Sequence, residues 1–555
     1  MNSENIPMNQ SQPLSQPTVQ NQTQPVVPAI NPYTIPQVPK KPPRQYSVKE
    51  NIYAWACFIL AYLFTLSIPI NENPLGLLIV IVLMYAVSTV VILQKAKKPQ
   101  LMPIIVAASA VVVSTSLILT SNRFLHFFTY LYAMVAYCYY IYGLSSDHHF
   151  RFSDSIFIDF TKALFVLPFY SFSNMFVSMF SGKANKGGRF IMKVLCGIIA
   201  TIIPTAIILA LLSYDDGFSE IIDKIFNFED FNLPTQLVKI IFALLLGAYA
   251  YSIYISSVDK KCENILTPQS CRKTLVSMRF APMVTVLTSV LPILFIYVVF
   301  FISQWKYYVS GFTGVLPKGL SYAQYAREGF FQLCTVSVIN LIILIVISLF
   351  LKRKENKQSV VLKILSMVFA VFTLVLISTA LSKMYMYIDY YGLTPKRVYA
   401  TWLMLVLAIV FMLIIVKQYV KKLKLIALSL AVLVVMFTAL SLSGVEEFIA
   451  QYNVDRYIDG SLSTVDIDAL DELGDPAIES LVRLSKFLDK ENGTDIAKAK
   501  VELDDESMYS KLVILLRDEA TKIKALDRNG KRDIWAFNVP SLKAEKALRC
   551  TTLFE

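Results

Sequence analysis

Residues 156–180, IFIDFTKALFVLPFYSFSNMFVSMF, decide how this chain is organised. The stretch has the length of a membrane crossing, which takes about 20 apolar residues. It is also interrupted by Asp159, Lys162, Pro168 and Asn174. Counted as a crossing, it inverts every connection that follows. Counted as an amphipathic helix lying in the headgroup region on its phenylalanines, it leaves them in place.

The rest of the chain settles that choice. Apolar runs of crossing length recur at about 52–70, 74–94, 101–119, 124–143, 190–213, 235–258, 281–303, 330–351, 360–382, 398–416 and 424–443. With these eleven as spans, alternate connections hold 25 Lys and Arg on one side and 8 on the other. Basic loops stay in the cytoplasm, so the N-terminus reads as cytoplasmic and the C-terminus as extracytoplasmic. A twelfth crossing at 156–180 would place the basic loops outside, and the segment is therefore read as interfacial.

The composition agrees with that architecture. Hydrophobic residues make up 55% of 555 and charged residues 17%, against roughly 25% charged in soluble chains. The expected fold is an all-α polytopic membrane protein with about 11 transmembrane helices, one interfacial amphipathic helix and a small, mostly helical C-terminal soluble domain. The net charge of +12 is an orientation signal, and no nucleic-acid motif accompanies it.

Residues 1–51 hold ten of the 24 prolines among scattered glutamine and asparagine. Such a segment cannot bury enough apolar surface to offset its ordering entropy, and it reads as a disordered cytoplasmic tail rather than a signal peptide. Pro39-Lys40-Lys41-Pro42-Pro43 offers the alternative of a polyproline ligand for a cytoplasmic partner. Residues 52–444 read as the helical bundle.

Residues 445–555, with 23 acidic and 16 basic side chains, read as the extracytoplasmic domain. Asp475-Pro476 starts a helix with proline in its first turn; Ile478, Leu481, Val482, Phe487 and Leu488 then share one stripe. A second amphipathic stretch covers about 506–526. Asn529-Gly530 is expected to turn, Ile534 to Val539 to be extended, and Ser541 to cap a last helix.

The spans carry little chemistry. Lys193, Lys239 and Lys363 lie within about a turn of a span end and can snorkel to the interface. No carboxylate falls near mid-membrane, which weakens an ion-coupled carrier. Asn340 is the most central amide and is expected to bond between helices; Pro204 and Pro292 are expected to kink their spans. Cys57, Cys138, Cys196 and Cys334 sit in apolar runs as small hydrophobes. Cys262 and Cys271 share a loop at no metal-ligand spacing, Cys550 stands alone, and His126, His148 and His149 complete no zinc pattern. No metal or cofactor is expected.

Chemistry concentrates instead in the connections expected outside. These contain Asp215 and Asp216, then Tyr322, Tyr325 and Arg327, then Asp389, Tyr391 and Arg397, and finally Asn453, Asp455 and Arg456. Arginine offers a planar fork of donors to carboxylate or phosphate, and tyrosine an amphipathic ring. Two readings stand. In one, the arginines bind an anionic lipid or envelope polymer while the aspartates position it or hold a divalent cation. In the other, the tyrosines form an aromatic belt and the arginines pair with Asp389, Glu328 or Asp455 to dock loops on the soluble domain.

The strings Tyr322-x-x-Tyr325-Ala326-Arg327-x-Gly329-Phe330-Phe331, Tyr391-Gly392-Leu393-Thr394-x-x-Arg397-Val398-Tyr399 and Asn453-x-Asp455-Arg456-Tyr457 resemble the signatures of a bacterial multi-pass membrane family known only as a domain of unknown function. Asp533-Ile534-Trp535-x-x-Asn538 is similar to that family's C-terminal end, and the resemblance covers roughly residues 190–555. Phe218 after Asp215-Asp216 resembles a further short motif, with Gly217 where proline is expected. The resemblance implies a bacterial plasma-membrane location and an outward-facing module, with no established activity. The expected role is a transport or export component, or an envelope-assembly scaffold whose soluble domain meets protein partners. The alternative is a transferase acting on a lipid-linked anionic substrate at the outer leaflet.

Overall fold

No water inside a bilayer satisfies backbone N–H and C=O groups, so a crossing apolar run closes its own hydrogen bonds as a helix. The computed structural model describes residues 44–67, 73–93, 100–180, 227–228, 231–303, 322–352, 360–493, 507–529 and 534–553, with the single positions 201, 208 and 212. Residues 1–45 form one unit and 46–555 a second.

The first part of the second unit holds α1 (Val48–Leu66), α2 (Pro74–Leu93), α3 (Leu101–Ser114), the one-turn α4 (Ser116–Leu119) and α5 (Arg123–Ser145). Three short helices follow, α6 (Ile156–Phe165), α7 (Leu167–Tyr170) and α8 (Asn174–Phe180). A pair of two-residue strands, β1 (Asn227–Phe228) and β2 (Phe231–Asn232), pairs antiparallel just before α9 (Leu233–Val258). Next come α10 (Pro268–Ser277), α11 (Met283–Ser303), α12 (Tyr322–Phe350), α13 (Val360–Tyr391), α14 (Pro395–Tyr419) and α15 (Leu425–Leu442). The C-terminal layer is α16 (Val445–Ile458), α17 (Ile467–Asp471), α18 (Asp475–Asn492), α19 (Met508–Asn529), a 3-10 turn at Ile534–Ala536 and α20 (Val539–Arg549).

The chain is an all-α polytopic membrane protein. Among the described residues nine helices are long and apolar enough to cross a bilayer, matching nine of the eleven expected spans. The expected span at 52–70 is α1, whose first turn carries Lys49, Glu50 and Asn51 and is closed by a Ser47–Glu50 capping box. The expected span at 190–213, with Lys193 and Pro204, lies outside the described residues apart from three isolated positions. Pro292 lies inside α11.

Residues 156–180 are helical but in pieces, the parts Ile156–Tyr170 and Asn174–Phe180 meeting at 58°. Pro168 lacks an N–H to continue the ladder, and the chain turns at Ser171, whose N–H bonds Ser252 Oγ at 3.1 Å. Where one helix was expected there are three, with Phe157, Phe165, Phe169 and Tyr170 exposed.

Two apolar clusters divide the bundle. One joins α1, α2, α3, α5 and α6–α9, and the other joins α11–α14. Membrane helices gain little from expelling lipid, so close approach and polar links hold them together. A Cβ on Gly247 of α9 would stand 3.1 Å from the Cys57 carbonyl oxygen of α1, and one on Gly143 of α5 only 2.2 Å from the Pro103 ring of α3. In the other half, buried Asn340 of α12 accepts from Tyr297 OH of α11 at 2.7 Å and donates to Thr373 Oγ1 of α13 at 2.9 Å. That is the interhelical amide bond expected at mid-span. Lys363 Nζ lies 4.8 Å over the Tyr419 ring.

The C-terminal layer has a core of its own kind. Ile478, Leu481, Val482 and Leu488 are buried and Phe487 partly so, as the stripe predicts; each buried aliphatic side chain contributes about 1.5–3 kcal/mol. The same core takes in Leu125, Leu393 and Leu440 from the ends of α5, the α13–α14 connection and α15. The layer is therefore fused to the bundle rather than tethered to it. Asn529-Gly530 falls partly outside the described residues. Residues 534–536 form a 3-10 turn rather than a strand, and among the described residues no strand edge pairs them. Asn538 rather than Ser541 caps α20: its Oδ1 accepts from Ser541 N–H at 2.8 Å, and Pro540 fits a first turn that needs no donor.

Candidate functional site

The α13–α14 connection is where the expected site residues converge. At 32 residues, α13 is about 48 Å long at 1.5 Å per residue. This exceeds the roughly 30 Å hydrocarbon core, so its last turns, Tyr387 to Tyr391, can stand clear of hydrocarbon. The chain leaves α13 through Gly392 at φ +75, a left-handed conformation that glycine adopts without a Cβ penalty. Thr394-Pro395 then opens α14.

Asn453 of α16 grips this turn. Its Oδ1 accepts from Leu393 N–H at 2.7 Å and its Nδ2 donates to Leu393 O at 2.8 Å, both buried. A Cβ at Gly392 would lie 2.4 Å from that Oδ1, so the glycine serves both the turn and the grip. Arg397 Nη1 donates to Tyr391 O at 3.1 Å and to Gly392 O, and its guanidinium stacks 4.1 Å over Tyr387. A cation there completes the carbonyl end of α13. Arg456 reaches Asp389 at 3.2 Å, Ser461 Oγ at 3.1 Å and Tyr452 OH at 3.3 Å. Asp455 pairs with Arg483 of α18 at 2.7 Å.

Six expected site residues, Asp389, Tyr391, Arg397, Asn453, Asp455 and Arg456, thus gather in one region and are engaged with one another, with adjoining backbone or, for Asp455, with Arg483. Tyr322, Tyr325 and Arg327 fall on the first turns of α12 and their side chains lie outside what is described; Asp215 and Asp216 lie outside the described residues altogether. The geometry favours docking over an open anion site at the six that are described.

Glu446 carries as much of the junction and has no place in the motifs. It is 2% exposed, and its carboxylate accepts from Thr120 Oγ1 at 2.9 Å and from Tyr399 OH at 3.1 Å. His126 Nε2–H donates to the Thr120 carbonyl at 2.9 Å, joining α5 to the same cluster. The signal in sequence was an acidic pair, Glu446-Glu447, directly after a span end at Gly444. Glu447 meets Lys543 of α20 at 2.7 Å. A further dock sets the Trp535 ring 3.5 Å from where a Gly76 Cβ would stand, at the start of α2.

The model of the family described as a domain of unknown function (DUF4153) matches residues 107–484. The chain belongs to the DUF4153 family. The DUF4153 match runs from α3 into α18 and contains every residue of the junction at Gly392 and Asn453. It begins well before residue 190, where the resemblance was expected to start, and ends before Asp533-Ile534-Trp535. No curated protein and no solved structure matches this DUF4153 chain.

Proposed function

We propose that this integral membrane protein is a scaffold of the bacterial envelope, in which the bundle holds the helical layer after Gly444 in a fixed orientation for protein contacts. The observation that carries the reading is the two-bond grip of buried Asn453 on the Leu393 backbone. Such a grip defines an angle as well as a contact, and burial makes both bonds costly to leave unmade. The surplus of basic residues in alternate connections supports a plasma-membrane protein with its N-terminus in the cytoplasm and the acidic layer outside. Envelope proteins are the partners this reading predicts.

Transport and lipid-linked transfer draw less support. Asn340, the central amide, is engaged by Tyr297 and Thr373, and the guanidiniums of Arg397 and Arg456 are engaged within the junction. A photocrosslinker placed at Phe448, exposed on α16, should capture a reproducible set of envelope proteins from cells. Asn453→Ala should change that set while the protein remains in the membrane. Recovery of the same partners, after general chemical crosslinking in cells, by both the full-length protein and a chain ending at residue 444 would end the scaffold reading.

A further inference from the structure

α5 has its Asn122 cap at the junction with the C-terminal layer and its Ser145 end about 34 Å away, taking 1.5 Å for each of its 23 residues. At that far end a cavity of about 580 Å³ opens between the α5–α6 connection, α6 and the end of α9. Its volume falls in the range of small-molecule sites, about 300–1,000 Å³. Its charged lining is Asp147, Arg151, Lys162, Lys260 and Glu263, with His148 and His149 beside them.

Lys162 is the unusual member. It sits on α6 at 6% exposure, yet among the described residues its ammonium makes no hydrogen bond or ion pair; the Tyr142 ring, 5.9 Å away, is its one direct contact. The carboxylates nearby are committed elsewhere or exposed. Asp147 pairs with Lys260 at 2.9 Å and Asp159 with His148 at 3.3 Å. Asp159 and Glu263 act on Lys162 only through space, and Glu263 is exposed. Arg151, also exposed, forms no ion pair among the described residues. The side chain is largely buried and lines the cavity, so an anion there would take the place of the water that otherwise solvates its ammonium. A compact ammonium and a guanidinium fork lining one cavity suit a group with several charged oxygens.

We propose that this cavity binds a phosphate group, with Lys162 as the buried charge partner and Arg151 as the fork at its mouth, the group being carried either by a small soluble compound or by an anionic lipid headgroup. The exposed aromatic side of α6 and α7, with Phe157, Phe165 and Phe169, puts the cavity beside lipid and makes a headgroup sterically accessible. The site is independent of the scaffold reading and stands at the other end of the bundle.

The test uses the full-length protein in alkyl-maltoside micelles, which carry no phosphate, and follows thermal unfolding. Pyrophosphate and short-chain phosphatidylglycerol are titrated separately, with potassium chloride at matched ionic strength as control. One or both should raise the Tm of the wild type, and Lys162→Met and Arg151→Gln should each weaken the apparent affinity about tenfold, as loss of one charge-assisted contact implies. A response to pyrophosphate identifies a soluble ligand; a response to phosphatidylglycerol alone identifies a headgroup. Without either probe, Lys162→Met should be at least as stable as the wild type, since it removes a charge that has no protein acceptor and replaces it with an apolar side chain of similar length. Arg151→Gln changes an exposed side chain and keeps the test valid should the core variant fail to fold. No response beyond the salt control, or equal responses in wild type and both variants, overturns the proposal.

Discussion

Replacing Asn453 by alanine strips the Leu393 N–H and C=O of their partners at once. Both groups lie in a turn whose Leu393 side chain is 8% exposed, so water reaches them only if the turn opens. Each stranded buried group costs about 1–3 kcal/mol, and the pair together about 2–5 kcal/mol after partial relaxation. The turn retains its Gly392 N–H to Ile388 O bond at 2.8 Å, so the loss falls on the docking of α16 rather than on α13 itself. Hydrogen exchange at the Leu393 amide reads this directly. At about 1.4 kcal/mol per factor of ten, its protection should fall at least about tenfold, with α16 exchanging faster alongside. Asn453→Asp supplies a sharper version: one oxygen still accepts from Leu393 N–H, but the other faces the Leu393 carbonyl as an acceptor against an acceptor. Folding then favours the protonated acid, which can donate, so the introduced group's folded pKa is raised. Its stabilising contribution is present below the usual carboxylate range of about 4 and is lost as pH rises through the folded value. Leu393 exchange within a factor of about two of wild type in both variants, at neutral pH, would refute the two-bond grip.

Glu446→Ala leaves Thr120 Oγ1 and Tyr399 OH without their buried acceptor and should destabilise the chain by about 2–4 kcal/mol, whereas Glu447→Ala, at a half-buried ion pair, should stay within about 1 kcal/mol; denaturant unfolding in detergent separates them. Gly143→Ala drives a methyl to 2.2 Å from the Pro103 ring and should cost about 1–3 kcal/mol. Gly76→Ala, with its nearest foreign atom at 3.5 Å, should leave the Tm nearly unchanged, and a reversed order would contradict the helix spacing. For topology, exposed Cys550 and half-buried Cys271 are the informative thiols. An impermeant maleimide should label Cys550 in intact cells and Cys271 only after permeabilisation, and the opposite pattern inverts the orientation. Cys262 should remain slow in both states, because it is buried and burial pushes its thiol up.

How much of this was legible depends on how far apart the partners lie. The nine spans and the start of α18 at Asp475-Pro476 could be read locally, since run length, period and first-turn proline are properties of a few adjacent residues. The breaks in residues 156–180 were visible as Pro168 and Asn174, but the three-piece path follows from packing against α9. The tyrosine–arginine strings stand out in the sequence. Their role was not legible, because Asn453 grips a backbone 60 residues away and Glu446 meets Thr120 across 326 positions. Glu446 itself was counted only as charge. The cavity around Lys162 went unread because its lining comes from two stretches, 142–167 and 256–268, neither of which forms a motif.

By itself the sequence determined that the chain lives in a membrane, where most of its helices run and which ends they have, because a bilayer of fixed thickness forces every crossing to satisfy its own backbone within one apolar run. The tertiary structure decided what the polar residues are for. Packing brought Arg456 to Asp389 and set Arg397 and Asn453 on the backbone of the turn at Gly392, and it left Lys162 beside a cavity without a protein acceptor for its charge. Whether a polar group is spent or still available is set by what surrounds it in space, and the order of residues along the chain does not record that.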